Sequence, residues 1–249
     1  MKSLEQLKKE DLQKIKMIVF DVDGVLVPRG TRIKQVGNVI TLDVKVIRPK
    51  QIRQIKTLHE KGFLINISSG RGLFMLQEIF REILPYVSLT YENGSATWYR
   101  GKIYQHLNSF KELTGVYPKL KQVKDKNIRG FEPKEFIITV HCWKKVKKIE
   151  DIVRKEKNLY TVWNGEAYDV GIKDIQTKAT GLKAVMKLFK LKKENVLAIG
   201  DNYNDQELLD ASGLPVSADR TRAVGKFYVP LKGKFLPADI LAQKISSLQ

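Results

Sequence analysis

The chain has 249 residues, enough for one domain with a sizeable insertion or for two modest domains. Hydrophobic residues at 43% and charged residues at 29% are ordinary for a globular protein and exclude a disordered or low-complexity chain. The formal charge of +18 is the unusual quantity: it predicts attraction to phosphorylated or otherwise anionic partners, polymeric or small.

Residues 1–16 alternate charges with Leu4, Leu7, Leu12 and Ile15 at helical spacing, and the longest apolar runs are far too short for a bilayer. No signal peptide or transmembrane helix is expected. A lone cysteine, Cys142, cannot form an internal disulfide, and three histidines supply no zinc-ligand spacing. A reducing, cytoplasmic location follows as the expectation.

Residues 17–20 form a short apolar run ending in Asp21, the pattern of a strand buried on both faces of a parallel sheet. Residues 31–36 and 39–46 flank Gly37-Asn38 as a hairpin that would project from the following loop as a flap. Residues 51–61 read as an amphipathic helix stopped by Gly62, and residues 63–67 as a second buried strand running into Ser68-Ser69-Gly70-Arg71.

The middle of the chain changes character. Residues 136–143 and 159–163 read as strands with a helix over 146–157 between them, and Asn164-Gly165 turns the chain into a strand over 166–172. Hairpins suit a small antiparallel sheet, so residues 106–174 are assigned to an inserted α+β cap and residues 1–105 with 175–249 to a discontinuous catalytic core. Residues 111–160 carry 14 Lys or Arg against 7 Asp or Glu. That basic stretch suits a solvated surface or a substrate-attracting one, and both readings stand. His141, Trp143 and Trp163 fall on these strands, where aromatic side chains usually pack.

Beyond the insertion, residues 180–189 are helical and residues 196–199 form a third apolar strand ending at Gly200-Asp201-Asn202-Tyr203-Asn204-Asp205. Tyr228-Val229 reads as a last short strand, and Pro237 suits the first turn of a helix through Ser246.

Polar groups therefore collect where apolar strands end, the usual ligand side of an open parallel sheet. In extended backbone Asp21 and Asp23 point the same way, and Gly24 allows a sharp turn after them. One carboxylate, Asp21, can attack phosphorus while the other, Asp23, donates a proton to the leaving oxygen. Attack on a phosphate dianion needs positive charge, which Mg²⁺ on Asp21 and Asp201 would supply. Ser69 with the N–H groups after it, and the ammonium of Lys178, would hold the phosphate oxygens. Taken singly, Ser69, Asp201 and Asp205 are also ordinary helix caps, and Lys178 an ordinary surface lysine.

The ordered set Phe20-Asp21-Val22-Asp23-Gly24, Ser69-Gly70-Arg71, Lys178 and Gly200-Asp201-Asn202-Tyr203-Asn204-Asp205 resembles the motifs of the haloacid dehalogenase superfamily. The resemblance implies an α/β, Rossmann-type three-layer core with a parallel sheet. It implies a phosphoaspartate at Asp21, Asp23 as acid and then base, and phosphate held by Ser69, Gly70 and Lys178. It also implies magnesium at Asp21, the Asp23 carbonyl and Asp201, supported by Asn204 and Asp205. Glu92-Asn93-Gly94-Ser95 resembles the segment before the C2-type cap in the Cof-like, sugar-phosphatase branch. Ala179 stands where that branch often has Gly, and the loop over 29–47 is longer than usual there.

The expected activity is a Mg²⁺-dependent phosphomonoesterase on a small sugar phosphate or related metabolite. A phosphomutase of the same superfamily is the alternative. A nucleic-acid-binding protein, or a phosphatase of nucleic-acid ends, is the alternative of another class, motivated by charge but lacking a motif with stacking aromatics.

Overall fold

A computed structural model describes residues 1–30, 32–230 and 234–249. The chain divides into two compact units. The first comprises Met1–Arg29, Lys45–His106 and Thr177–Gln249, and the second Gly30–Val44 and Leu107–Gln176.

The first unit is built on a nine-stranded sheet. Its order is Lys2–Ser3, Phe227–Tyr228, Leu214–Ser217, Val196–Gly200, Met17–Phe20, Leu64–Ser68, Val87–Tyr91, Ala96–Tyr99 and Lys102–Gln105. Pairing is parallel up to Val87–Tyr91 and antiparallel over the last two strands. Met17–Phe20 lies in the middle with every residue buried, which is why it is apolar throughout instead of alternating. Met17 and Val19 pack with Leu182, Val185, Leu208 and Leu209 of helices Lys178–Leu188 and Gln206–Asp210. Helix Pro49–Glu60 packs on helix Pro237–Leu248 and on strand Leu64–Ser68, outside that cluster.

Both long helices carry proline at their first turn, where its missing N–H costs nothing. The N-terminus differs from its helical spacing. Lys2–Ser3 pairs with Phe227–Tyr228 at the sheet edge, and only Lys9–Leu12 is α-helical. Leu4, Leu7 and Leu12 are nonetheless buried, so a broken path serves the same apolar contacts as a continuous helix would.

The second unit is a four-stranded antiparallel sheet in the order Leu159–Trp163, Ala167–Ile172, Ile138–Cys142, Ile128–Glu132. Val140, Cys142, Tyr168 and Val170 pack with Leu113, Leu120, Ile149 and Val153 of its helices, forming a core of its own. The hairpin Ile33–Val36 and Val39–Leu42 belongs to this unit: the Phe131 N–H donates to Gln35 Oε1 at 3.1 Å. The sequence reading leaves 30–44 in the core span and ends the insertion at 174, whereas the contacts group 30–44 with 107–176. Packing between segments so far apart in the chain sets this grouping, and local patterning carries no trace of it. Val36 and Val39 at the hairpin tip are exposed, and Thr31 lies outside the described residues. Among the described residues no helix is long and apolar enough to cross a membrane.

Candidate active site

The three apolar strands noted in the sequence are adjacent and parallel, in the order Val196–Gly200, Met17–Phe20, Leu64–Ser68. Their carboxyl ends bring Asp201, Asp21 and Ser69 to one edge of the sheet. Asp21 is fixed there by its own N–H, which donates to the Ile199 carbonyl at 3.0 Å. Thr177 caps the next helix, its Oγ1 accepting from the Thr180 N–H at 3.2 Å, so Lys178 becomes the first helical residue. Gly94 permits the close approach that seats this helix. It has φ of +85°, and a Cβ there would fall 2.3 Å from the Thr177 carbonyl.

Lys178 Nζ donates to Asp21 Oδ1 at 2.6 Å and also to Asp205 Oδ1, all three residues being buried. The other oxygen of Asp205 accepts the N–H groups of Asp201 and Asn202, each at 3.0 Å. Asp205 is thus a bracket joining the lysine to the loop that carries Asp201, and it does not cap the helix after it. Asn202 caps the short turn at Tyr203–Asp205 instead. Asn204 is half-buried, with no side-chain hydrogen bond among the described residues.

Carboxylate oxygens of Asp21, Asp201 and Asp205 lie within 4.8 Å of one another. Burial, then the neighbouring Asp205, raises the Asp21 carboxyl well above its ordinary range against the pull of Lys178. Asp201 is pushed up to about 6 by burial and Asp205, opposed by Arg29. Lys178 goes up in spite of its burial, because Asp205 and Asp21 stabilise the ammonium.

This set suits a hard divalent cation, which takes oxygen donors and is favoured where carboxylates outnumber buried cations. Lys178 occupies only Oδ1 of Asp21, and Arg29 only Oδ2 of Asp201. One carboxylate oxygen on each is left for a cation. Gly24, with φ of +82°, makes room for the Arg29–Asp201 pair, since a Cβ there would lie 1.7 Å from Asp201 Oδ2 and 2.9 Å from Arg29 Nε.

Asp23 stands apart from the acid cluster. Arg71 holds it in a bidentate pair, Nε to Oδ2 and Nη2 to Oδ1, both at 2.7 Å, and Lys45 Nζ reaches Oδ1 at 3.3 Å. Ser69 does not cap the following helix, whose N-cap is Gly72; its Oγ accepts the Arg71 N–H at 3.2 Å. The Gly70 N–H donates to no protein group among the described residues, which leaves a donor for an anion. Arg29, Lys45 and the pairing of Arg71 escape the sequence reading. The only signal is basic character at the two ends of the long loop and inside Ser69-Gly70-Arg71.

Of the three ring residues singled out in the insertion, Trp163 packs on Tyr168 with centroids 4.8 Å apart, and His141 is buried against Glu132. Trp143 is the exception to packing, largely exposed with the Arg129 guanidinium over its ring.

Comparison with known proteins follows the same line. A family description, haloacid dehalogenase-like hydrolase, matches residues 18–131 and 108–222. The chain belongs to that family. It is 26% identical over 212 residues to phosphoglycolate phosphatase 1 of Saccharolobus solfataricus, covering 82% of each chain. It is 24% identical over 241 residues to the 5-amino-6-(5-phospho-D-ribitylamino)uracil phosphatase YcsE of Bacillus subtilis, covering 88% of this chain and 90% of the relative. Among solved structures it resembles the subclass IIB sugar phosphatase BT4131, with a TM-score of 0.63, 17% identity and coverage of 93% and 98%. That likeness shows the fold: a haloacid dehalogenase-like three-layer α/β core with an inserted α+β cap of the C2 type. Family members are generally metal-dependent, and the acid cluster fits that rule.

Proposed function

We propose that this hydrolase is a Mg²⁺-dependent phosphomonoesterase that transfers phosphate from a small sugar phosphate or related metabolite to Asp21 and then to water. The observation that carries this reading is Lys178 bridging Asp21 and Asp205 beside Asp201, at the ends of adjacent parallel strands. The phosphatase relatives support it.

In the first step a carboxylate oxygen of Asp21 attacks phosphorus, an oxygen–phosphorus bond forms, and the bond to the leaving alcohol breaks. Asp23 protonates the departing oxygen. In the second step water attacks the aspartyl phosphate while Asp23 takes the water's proton, and free phosphate leaves. Lys178 opposes the charge gathering on the phosphoryl oxygens, and the Gly70 N–H with Ser69 fixes their orientation. Asp21 and Asp201 would hold the cation, which supplies further positive charge against the phosphate. The bidentate pair with Arg71 keeps Asp23 in place between the two steps, and one of its oxygens must be released for proton transfer. The buried, single Cys142 suits a reducing cytoplasm.

The test is phosphate release from phosphoglycolate, sugar phosphates, nucleotides and oligonucleotides, with and without Mg²⁺. Turnover of small phosphates that requires Mg²⁺ is expected. Turnover that is indifferent to Mg²⁺, or confined to oligonucleotide ends, would overturn the reading.

A further inference from the structure

Arg29 is the last residue of the first unit before the chain enters Gly30–Val44. Its guanidinium is committed to the loop of Asp201. Nε donates to Asp201 Oδ2, while Nη2 donates to the Asp201 carbonyl at 2.9 Å and to Asp219 Oδ2 at 3.1 Å. Lys178 serves Asp21 and Asp205, so Arg29 is the side-chain cation on Asp201 among the described residues. The two partners differ in accessibility: the Arg29 side chain is 37% exposed and that of Asp201 only 4%. A guanidinium that is partly in water can be displaced at modest cost, whereas the buried carboxylate cannot follow it out. Asp219, with its side chain partly exposed, already holds one arm of Arg29 and can keep it when Asp201 is taken.

We propose that Arg29 and a divalent cation contend for the Asp201 carboxylate, so that Arg29 sets the cation concentration the protein requires and Asp219 is the acid that receives it. This rests on the cation centre proposed for Asp21 and Asp201. The physical basis is charge balance. A guanidinium on one of the carboxylates lowers the negative charge offered to the incoming ion, and the ion must displace it or bind beside another positive group.

The experiment is calorimetric titration of the substrate-free, full-length protein with MgCl₂, paired with thermal unfolding at increasing MgCl₂. Arg29→Gln is expected to bind Mg²⁺ roughly five-fold more tightly, the worth of a partly exposed ion pair. Arg29→Lys, which cannot fork between two acids, is expected to fall between it and the wild type. Asp219→Asn should weaken Mg²⁺ binding, and that effect should vanish in the Arg29→Gln background. Arg220→Gln, which removes an exposed arginine from the neighbouring position, should leave the affinity unchanged. Unchanged or weaker binding by Arg29→Gln, or an equal gain in Arg220→Gln, would overturn the proposal while leaving the cation centre standing. A wild-type protein that binds no Mg²⁺ would overturn the centre itself and the contention with it.

Discussion

Each unit buries a cluster of charges, and the two clusters are balanced in different ways. In the second unit Thr139 pairs in register with both Glu132 and Asp169. Its hydroxyl donates to Asp169 at 2.5 Å and accepts from Lys134 at 2.6 Å, and Lys134 also lies 3.4 Å from Glu132. His141 closes the set at 2.8 Å from Glu132. Two acids meet a lysine and a histidine there: strand register sets Thr139 between Glu132 and Asp169, and Lys134 reaches in from the loop after Ile128–Glu132. In the first unit Asp21, Asp201 and Asp205 share one buried lysine, and the second cation, Arg29, is partly in solvent. Negative charge is in excess, and burial together with the neighbouring Asp205 pushes the Asp21 and Asp201 carboxyls up. The second unit's acids are met by hydrogen-bond donors of its sheet, which suits a structural role; the first unit's acids gather at strand ends around one buried lysine, which suits an ion and a phosphate.

The sharpest way to break this contrast is to remove the proposed nucleophile. Asp21→Asn should lower phosphate release by roughly 10⁴-fold or more with little loss of stability, read from turnover and urea unfolding together. Lys178→Met comes next. It leaves the three acids facing one another and should cost about 3–5 kcal/mol in urea unfolding as well as activity. The matching change in the second unit, Lys134→Met, should cost a similar amount of stability. Its turnover of a small aryl phosphate should stay within a few-fold, and a collapse of that turnover would erase the distinction between the clusters.

A subtler test uses pH. Asp201 titrates at about 6 in the folded chain against 3.8 ordinarily, so the folded state holds a proton that the unfolded state has lost. Stability from this group is therefore full below about pH 4 and is lost as pH rises through about 6. Thermal unfolding without divalent cation should show that decline, Asp201→Asn should lack it, and Mg²⁺ should flatten it. The burial that raises Asp21 also places the acid limb of turnover above the ordinary carboxylate range, and Mg²⁺ should draw it downward.

The strands at 17–20 and 196–200 were legible because full burial on both faces demands an uninterrupted apolar run, and that at 64–68 was legible although Asn66 interrupts its run. The antiparallel edge from Val87 to Gln105 went unread: it mixes Ser88, Thr90 and Thr97 into its strands, and these are satisfied by one another and by Asn66. Asp21, Ser69 and Asp201 were legible because polar groups stand out where apolar runs end, whereas Lys178, the first residue of its helix, stood out only as part of the ordered motif set. Arg29, Lys45 and Arg71 could not be paired with their acids from sequence. An arginine in a loop has no periodicity, and its partner Asp201 is 172 residues away. The same limit hid the docking of Gln35 on Phe131, 96 residues apart.

The central claim is that Asp21 carries the phosphoryl group. Acid quenching during turnover of a ³²P-labelled small phosphate ester in the presence of Mg²⁺, followed by peptide mapping, tests it directly. Label on the peptide containing Asp21, absent from Asp21→Asn, is the predicted result. Label on another residue, or undiminished turnover by Asp21→Asn, would contradict it.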